Sequence, residues 1–415
     1  MTQETFVIVG ASLAGAKAAE ELRSQGFDGR VLLIGAEPER PYERPPLTKE
    51  YLRGEADREK VYVHEPGFYD ANAIELLEGT TVAALDPGGS RVTLEDGSEI
   101  AYDRLLLTTG AEPRRLDIPG AELEGVNYLR TLADCDALRD RLDTGGRVAV
   151  IGAGWIGSEF AASARQRGLE VVIIDPLPLP NERVFGSEIG VFYRDVHAQH
   201  GVELLLGRGV ESFEGHGAVE RVRTTDGRLV ECDFAAVGVG VIPRVQLAGD
   251  AGVQVDNGVL VSKRLQSSAP GVFAAGDVAN AWHPFFDQRI RVEHWANALN
   301  QGPAAARAML GQDVSYDRIP YFFSDQYDVG MEYSGYASPR DQVLLRGDLD
   351  SGEFVAFWLR DGLVLAGMNV NVWDVNEHVQ ALIRSRRPVD PALLADVDTP
   401  LAEIAAEAQR PTTAA

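Results

Sequence analysis

The sequence carries one local pattern twice, and this repetition limits the fold more than any other feature. Each copy contains a run of β-branched residues, a glycine-rich turn, an alanine-rich stretch and a second β-branched run that ends on a carboxylate. The first copy extends from Phe6 to Glu37 and the second from Arg147 to Asp175. Strands that alternate with helices predict a parallel sheet covered by helices. The sequence therefore predicts two α/β units built on the same plan.

The glycine spacing indicates what these units bind. The turns read Gly-Ala-Ser-Leu-Ala-Gly from Gly10 and Gly-Ala-Gly-Trp-Ile-Gly from Gly152. In Rossmann dinucleotide-binding units the first glycine permits a tight turn, the second admits a pyrophosphate, and the third lets helix and strand pack closely. The pyrophosphate lies at the helix N-terminus, and the final carboxylate accepts hydrogen bonds from ribose hydroxyls. The predicted contacts are Gly10, Ser12, Gly15 and Glu37 in the first copy and Gly152, Gly154, Gly157 and Asp175 in the second, with Ser12 in place of the middle glycine.

The duplication continues beyond the glycine turns. Each Rossmann half is followed by a segment with a matching turn, acid and glycine. The matching pairs, all at one offset, are Asp96-Gly97 with Asp226-Gly227, Asp103 with Asp233, and Gly110 with Gly240. Asp-Gly between apolar residues predicts a hairpin. We therefore expect the same meander after each half, and we include Gly240 among the cofactor contacts.

The length of 415 residues predicts about three domains rather than one core. The stretch from Pro113 to Gly120 has the composition of a connector, and Thr131 followed by Asp134 predicts a helix start. The predicted parts are a discontinuous first domain at 1–112 and 245–319, a second at 113–244, a C-terminal α/β domain at 320–402 and a flexible tail at 403–415.

Composition excludes several functional classes. The net charge of -24 argues against nucleic acid or an anionic membrane as a partner, because both bind basic surfaces. No apolar run approaches the roughly 20 residues that span a bilayer. The N-terminal residues have neither a basic nor a long apolar region, so no signal peptide is expected. The sequence predicts a cytoplasmic protein.

The two cysteines argue against disulfide chemistry. Cys135 and Cys232 are far apart, and neither belongs to a Cys-x-x-Cys motif. Flavin disulfide reductases need a redox-active cysteine pair, so we interpret these residues as two buried thiols. No cluster of His and Cys has the spacing of metal ligands, and no metal is predicted.

The segment from Pro41 to Lys49, Pro-Tyr-Glu-Arg-Pro-Pro-Leu-Thr-Lys, carries a family resemblance. It is similar to the loop over the flavin in FAD-dependent NADH:ferredoxin reductases that serve bacterial oxygenases and cytochromes P450. The resemblance covers nearly the whole chain and implies a glutathione reductase-like pair of domains, with FAD in the first and NAD(H) in the second. It implies that electrons pass from NADH through FAD, one at a time, to an iron-sulfur ferredoxin, two-iron or related. That ferredoxin would feed a cytochrome P450 or a ring-hydroxylating oxygenase.

The same resemblance implies roles for individual residues. Lys49 and Glu159 would be catalytic, with Lys49 near the flavin N5 and Glu159 reaching the nicotinamide end of NADH. The helix after Trp295 would direct its positive N-terminus at a flavin carbonyl. The implied FAD contacts are Ala14, Glu37, Arg44, Lys49, Val82, Arg130, Asp277 and Trp295. Separately, Asp175 is not followed by an arginine in Pro-Leu-Pro, so NADH should be preferred to NADPH.

Several interpretations remain open at this point. Glu159 could complement the dipole of its own helix, and Asp277 could be a helix N-cap. Trp295 could simply pack in the core, and core packing is also the favoured interpretation of Tyr321 and Phe323. Lys49 has two candidate partners, Glu159 and Glu293.

The final electron acceptor also has alternatives. A related flavoprotein would reduce a small molecule such as a quinone, oxygen or monodehydroascorbate. A protein similar to apoptosis-inducing factor would act in redox signalling by binding, although the acidic composition argues against its nucleic-acid mode.

Overall fold

A computed structural model describes residues 3–410, which divide into two compact units. The first contains the described parts of Met1–Pro46, Ala56–Glu112 and Val241–Arg318. The second contains those of Leu47–Glu55, Pro113–Gly240 and Ile319–Ala415. The second unit thus holds most residues of the domains expected at 113–244 and 320–402, and the boundaries of the three domains stay a prediction.

A five-stranded parallel sheet forms the centre of the first unit, in the order β19-β7-β1-β2-β3. Its strands, numbered along the chain, are β1 (Thr5–Val9), β2 (Arg30–Ile34), β3 (Ile74–Leu77), β7 (Arg104–Leu107) and β19 (Val272–Ala274). The helices of this unit are α1 (Leu13–Ser24), α2 (Phe68–Ala71), α7 (Gln246–Asp250) and α8 (Trp295–Met309). After their first residues, the central strands β1, β2 and β7 are apolar, as is usual where helices cover both faces of a parallel sheet.

Smaller sheets complete the first unit. The predicted meander forms from β4 (Val82–Asp86), β5 (Arg91–Leu94) and β6 (Glu99–Ala101). A second three-stranded sheet contains β18 (Val259–Val261), β20 (Ala279–His283) and β21 (Gln288–Arg291), and β8 (Ala111–Pro113) pairs with β17 (Val241–Pro243). Short 3₁₀ helices cover Pro45–Thr48, Arg58–Val61 and Gly276–Val278.

The second unit repeats the parallel sheet, in the order β12-β11-β10-β16-β9. Its strands are β9 (Val126–Tyr128), β10 (Arg147–Ile151), β11 (Glu170–Asp175), β12 (Glu203–Leu206) and β16 (Phe234–Val237). The helices are α3 (Leu132–Thr144), α4 (Trp155–Gln166), α5 (Glu182–Phe185) and α6 (Ser187–Gln199), and the second meander contains β13 (Val210–Glu214), β14 (Arg221–Thr224) and β15 (Leu229–Glu231).

One hydrogen bond shows how closely the two copies agree. The backbone N–H of Thr5, at the start of β1, donates to Asp103 Oδ2 over 2.7 Å. The N–H of Arg147, at the start of β10, donates to Asp233 Oδ2 over the same 2.7 Å. Each aspartate thus accepts a hydrogen bond from the backbone N–H of the first residue of a strand, and this N–H has no partner within the sheet. The predicted match of Asp103 with Asp233 therefore has the same structural role in both copies.

The C-terminal part of the second unit is an antiparallel sheet in the order β22-β23-β26-β25-β24. Its strands are β22 (Tyr321–Gln326), β23 (Val329–Gly335), β24 (Gln342–Asp348), β25 (Glu353–Arg360) and β26 (Leu363–Val370), and its helices are α9 (Asn376–Ser385), α10 (Pro391–Ala395) and α11 (Leu401–Gln409). One face of the sheet shares an apolar core with α5 and α6, where the Trp358 indole donates to the carbonyl of Phe185 over 3.2 Å. This shared core explains why 113–240 and the C-terminal part form one unit.

The flexible tail predicted at 403–415 was wrong for residues 403–409, which continue α11. Leu401, Ile404 and Ala405 are buried along one face of that helix. Their spacing of three and four residues is typical of an amphipathic helix, a signal that the Ala- and Thr-rich composition obscured. Residues 411–415 of the predicted tail lie outside the described part of the chain.

No helix among residues 3–410 combines the length and the apolar character that a membrane crossing requires.

Helices α1 and α8 approach each other closely at Gly302. A Cβ atom at Gly302 would lie 2.2 Å from the carbonyl oxygen of Ala14, a distance that real Cβ atoms do not adopt. The contact therefore requires glycine at this position of α8.

We expect Gly302→Ala to separate α1 from α8 and to destabilise the protein by about 1–3 kcal/mol, the usual cost of overpacking. Gly249→Ala is the matched control, because Gly249 is also helical and its Cβ would meet no atom closer than 3.8 Å. Thermal unfolding followed by circular dichroism measures the difference. Equal melting temperatures for the two variants would contradict the close helix contact.

Candidate functional site

The first glycine turn follows β1 and depends on two glycines. Gly10 has a φ of 117°, and a Cβ there would lie 2.1 Å from the carbonyl oxygen of Thr108. A Cβ at Gly15 would lie 2.1 Å from the carbonyl oxygen of Gly10. Both positions therefore exclude any side chain, as the first and third glycines of a dinucleotide-binding turn do.

The second turn has the same geometry and one further property. Gly152 has a φ of 103°, and Cβ atoms at Gly152 and Gly157 would lie 2.4 Å and 2.0 Å from carbonyl oxygens. In contrast, a Cβ at Gly154 would meet no protein atom within 4 Å. Internal packing therefore does not require glycine at Gly154. The open position fits the close approach of a ligand pyrophosphate.

Glu37 follows β2 and belongs to a small polar cluster. The Tyr42 hydroxyl donates to Glu37 Oε2 over 2.5 Å, and the Arg44 guanidinium lies 3.6 Å from Glu37 Oε1. Arg44 also donates a hydrogen bond to the Ser12 hydroxyl. The structure thus brings together three predicted cofactor contacts, Ser12, Glu37 and Arg44, at the end of the first glycine turn. The serine that replaces the middle glycine is an acceptor for Arg44.

Asp175 is the last residue of β11 and is fixed by main-chain donors. The N–H of Ala153 donates to Asp175 Oδ2 over 2.6 Å, and the N–H of Leu177 donates to Oδ1 over 2.7 Å. These bonds tie the carboxylate to the glycine turn. Each carboxylate oxygen retains a further lone pair for a ribose hydroxyl.

Three helix N-termini differ from the others in charge. The described chain contains seven helices of eight or more residues: α1, α3, α4, α6, α8, α9 and α11. In α3, α6, α9 and α11 an acidic residue in the first turn offsets the positive end of the helix. In α1, α4 and α8 the first turn has no acid, and no side chain caps the helix. These three are the helices that sequence reasoning assigned to cofactor binding.

A buried ion pair occupies the second unit. Lys49 Nζ lies 2.6 Å from Glu159 Oε2, and both side chains are less than a tenth exposed. The Thr48 hydroxyl donates to the same Oε2 over 2.5 Å, and the Ser324 hydroxyl donates to Oε1 over 2.7 Å. Glu159 therefore accepts three hydrogen bonds. They offset the cost of removing its charge from water, which is several kcal/mol for an unpaired ion.

This geometry resolves two of the open interpretations. Glu159 is the fifth residue of α4, and the first turn of that helix contains no acid. The dipole interpretation of Glu159 was therefore wrong, because the dipole effect is confined to the first turn. Lys49 pairs with Glu159, whereas Glu293 pairs with Arg291 over 2.5 Å.

The surroundings of the ion pair are aromatic and acidic. Lys49 Nζ lies 5.6 Å from the centre of the Phe323 ring. Burial raises the pKa of Asp325, and the positive charge of Lys49 partly opposes this shift. Phe322 packs in the core, whereas Tyr321 and Phe323 on the other face of β22 are only half-buried. Core packing is thus the role of Phe322, and the predicted core role of its two neighbours was wrong.

Trp295 begins α8 and makes a polar contact in the first unit. Burial raises the pKa of Glu43, and a polar interaction with the Trp295 side chain partly opposes that rise. Simple core packing therefore does not describe Trp295, which is half-buried. Asp277 lies within a 3₁₀ helix whose N-cap is Ala275, so the N-cap interpretation of Asp277 was wrong.

The remaining predicted contacts are distributed over both units. Ala14 lies beside Gly276 and Gly302, Val82 begins β4, and Gly240 has a φ of 97° with open space around its Cβ position. Arg130 and Lys49 belong to the second unit, whereas the other predicted FAD contacts belong to the first.

Sequence reasoning missed Thr48 and Ser324. Both hydroxyls donate to Glu159, but they are 111 and 165 residues away from it along the chain. Thr48 lies within the segment 41–49 that carries the family resemblance, but that resemblance implied no role for it, and Ser324 belongs to no spaced motif. The only local signal was the position of Thr48 directly before Lys49.

Both cysteines are free and buried. Burial raises the pKa of Cys135 and of Cys232 to about 12. No group of three or more His, Cys, Asp or Glu within residues 3–410 is arranged to hold a metal ion.

Comparison with known families agrees with this arrangement. A family model described as pyridine nucleotide-disulphide oxidoreductase matches residues 4–302, and a second, described as reductase C-terminal, matches residues 321–405. The chain belongs to the pyridine nucleotide-disulphide oxidoreductase family. The predicted fold class, two Rossmann-like domains and a C-terminal α/β domain, is confirmed. The family uses FAD and NAD(H), so both predicted cofactors are confirmed as well.

Similar proteins are reductases of oxygenase systems. Putidaredoxin reductase CamA of Pseudomonas putida is 37% identical over 412 residues, which cover 98% of each chain. The ferredoxin--NAD(+) reductase component of an anthranilate 1,2-dioxygenase system from Burkholderia cepacia is 37% identical and covers 95% of this chain and 98% of its own. The solved covalent putidaredoxin reductase-putidaredoxin complex superimposes with a TM-score of 0.94 at 36% identity, covering 99% of this chain and 100% of the other.

The two thiols should be unreactive in the folded protein. At pH 8 a thiol with a pKa of about 12 forms roughly a thousandth of the thiolate of an ordinary cysteine. We expect an aromatic disulfide reagent to label neither cysteine until guanidinium unfolds the chain, with glutathione as the reactive control. Rapid labelling of the native protein would contradict the buried assignment.

Proposed function

We propose that this protein is an FAD-dependent NADH:ferredoxin reductase that supplies electrons to an oxygenase or a cytochrome P450. The observation that carries the proposal is the set of three helix N-termini, those of α1, α4 and α8, that have neither a cap nor an acid. Two of them follow the glycine turns, the position at which the pyrophosphate of a dinucleotide binds in Rossmann units. The third begins at Trp295, where the family resemblance implies the flavin ring.

The first unit would hold FAD. Gly10, Ala14 and Gly15 would receive the pyrophosphate at α1, and Glu37 would accept hydrogen bonds from ribose hydroxyls. The contact of Arg44 with Ser12 and Glu37 supports a role beside the phosphates. Trp295 at the start of α8 would contact the flavin, and the positive end of that helix would favour negative charge on it. The family resemblance adds Val82, Asp277 and Arg130 to the proposed FAD contacts.

The second unit would hold NADH. Gly152, Gly154 and Gly157 would receive its pyrophosphate, and Gly240 would lie at the same site. Asp175 would bind the adenosine ribose and would repel a 2′-phosphate, which favours NADH over NADPH. Dependence on NADH is also consistent with the proposed cytoplasmic location.

Lys49 and Glu159 are the proposed catalytic residues. FAD accepts a hydride from NADH and releases electrons singly, and this is the chemistry that the cofactor itself supplies. The chain would contribute orientation and charge. The Lys49 ammonium, fixed by Glu159, would stand beside the flavin N5 as a preorganised positive group, whose effect is large in a dry site.

A ferredoxin is the acceptor that the observations favour. Disulfide reductases pass electrons from flavin to a cysteine pair, but both cysteines of this chain are free and buried. Electrons therefore have no internal disulfide to reduce and must go to an external acceptor. Two relatives that cover nearly all of this chain are named putidaredoxin reductase and ferredoxin--NAD(+) reductase component, which supports the same kind of acceptor here.

The decisive experiment is NADH-dependent reduction of cytochrome c by the purified, FAD-loaded protein, with and without an added two-iron ferredoxin. We expect the ferredoxin to increase the rate at least about tenfold, because in the proposed function the ferredoxin is the acceptor of the reductase and passes the electrons on to cytochrome c. NADPH in place of NADH should give little activity. Rapid flavin reduction without stimulation by several ferredoxins would indicate a small-molecule acceptor instead. A long-lived complex with NAD and no turnover would indicate a signalling protein.

Gly154 offers a separate test of the NADH site. We expect Gly154→Ala to fold normally, since its Cβ would meet no protein atom within 4 Å. The same methyl group would obstruct the pyrophosphate and weaken NADH binding about tenfold or more, a loss of roughly 1.4 kcal/mol. Titration with NAD(H) measures the affinity, while FAD content and melting temperature should match those of Gly249→Ala. Unchanged affinity would contradict the proposed position of the pyrophosphate.

A further inference from the structure

Among the described residues, three side chains donate to Glu159, and Ser324 is the donor that lies in the C-terminal part of the chain. It lies on β22, within the region that matches the reductase C-terminal family model. Its hydroxyl is 1% exposed and lies 2.7 Å from Glu159 Oε1. The other two donors, Lys49 and Thr48, both bind Oε2. Ser324 therefore binds Oε1, the carboxylate oxygen of Glu159 that takes no part in the ion pair with Lys49.

The direction of the Ser324 hydroxyl is determined by its neighbours. A carboxylate oxygen can only accept, so the hydroxyl proton must point to Glu159. The Gln326 side-chain amide donates to the Ser324 oxygen over 3.3 Å. Gln326 is itself buried. The Ser324 oxygen thus accepts a hydrogen bond from the buried Gln326 amide, while its proton is donated to Glu159.

We propose that Ser324 is a positioning residue of the reductase site, supplied by the C-terminal domain. Its hydrogen bond stops the Glu159 carboxylate from rotating, so that Oε2 stays aligned with the Lys49 ammonium. The C-terminal domain thereby acts in flavin reduction as well as in any contact with an electron acceptor. This inference rests on the proposed role of Lys49 and Glu159 beside the flavin.

The direction of the effect follows from electrostatics. Ser324→Ala removes a donor dipole whose positive end faces the carboxylate, which makes the potential at the ion pair more negative. A more negative site disfavours the charge that reduced flavin carries, so the midpoint potential of the bound flavin should fall. The loss of one such hydrogen bond corresponds to about a tenfold slower flavin reduction. The affinity for NADH should not change, because Ser324 is assigned no contact with the nucleotide.

The chain provides a matched control in Ser334. This serine lies on β23 of the same sheet, is completely buried, and donates over 2.6 Å to Asn376 rather than to the ion pair. Ser334→Ala therefore removes a comparable buried hydrogen bond without touching Glu159. Ser324→Thr keeps the hydroxyl and serves as the conservative variant.

The test measures three quantities in the FAD-loaded variants: the rate of flavin reduction by NADH, the NADH dissociation constant and the flavin midpoint potential. We expect Ser324→Ala to slow reduction about tenfold and to lower the potential, with unchanged NADH affinity. Ser324→Thr should restore both values, and Ser334→Ala should match the parent protein. In a Lys49→Met background, the effect of Ser324→Ala should largely disappear, because the two residues act through one carboxylate.

Three outcomes would overturn the inference, and they are distinguishable. Parent-like rate and potential in Ser324→Ala, while Lys49→Met is slow, would remove Ser324 from the site and leave the proposed function intact. Equal losses in Ser324→Ala and Ser334→Ala would indicate general destabilisation of the sheet. Parent-like reduction in Lys49→Met would refute the role of the ion pair itself and, with it, the role of Ser324.

Discussion

The organisation of the second unit depends on the burial of one carboxylate. Glu159 lies on α4, yet its donors come from the segment 47–55 and from β22. Removing any one partner would leave charge or polarity without compensation in a dry interior, which is far more costly than losing a surface contact. This requirement helps to explain why three separate stretches of the chain form a single unit. It also restrains the ammonium of Lys49 through the 2.6 Å ion pair, as the proposed role of a preorganised positive charge beside the flavin requires.

Acidic residues at the N-termini divide the long helices of the described chain into two groups. Four long helices neutralise their own N-termini with an acid in the first turn. The three that lack such an acid leave their positive ends for negatively charged ligands. In a chain whose net charge is -24, the absence of acids at these positions is notable. These helix ends would attract the anionic cofactors that are proposed to bind there, although the chain as a whole is acidic.

The fold was largely predictable because its constraints are local. Strand, glycine turn, helix and acid follow one another within about thirty residues, and Gly10 or Gly152 requires a conformation that only glycine adopts easily. The C-terminal helix was missed because Ala-rich composition conceals the regular spacing of Leu401, Ile404 and Ala405. The proposed site was predicted where residues belong to motifs. Its hydroxyl donors were not, since Thr48 and Ser324 meet Glu159 only through tertiary packing that no sequence window contains.

The wide separation of these donors has a consequence for biosynthesis. Lys49 precedes Glu159 by 110 residues, whereas Ser324 follows it by 165. At roughly 5–20 residues added per second, Glu159 emerges about ten to thirty seconds before the serine that completes its hydrogen bonds. The nascent carboxylate must stay hydrated during that interval, so this part of the unit can close only after β22 has left the ribosome. A chain that terminates before β22 would carry a carboxylate short of one donor and an apolar face on α5 and α6 that quality-control proteases can recognise.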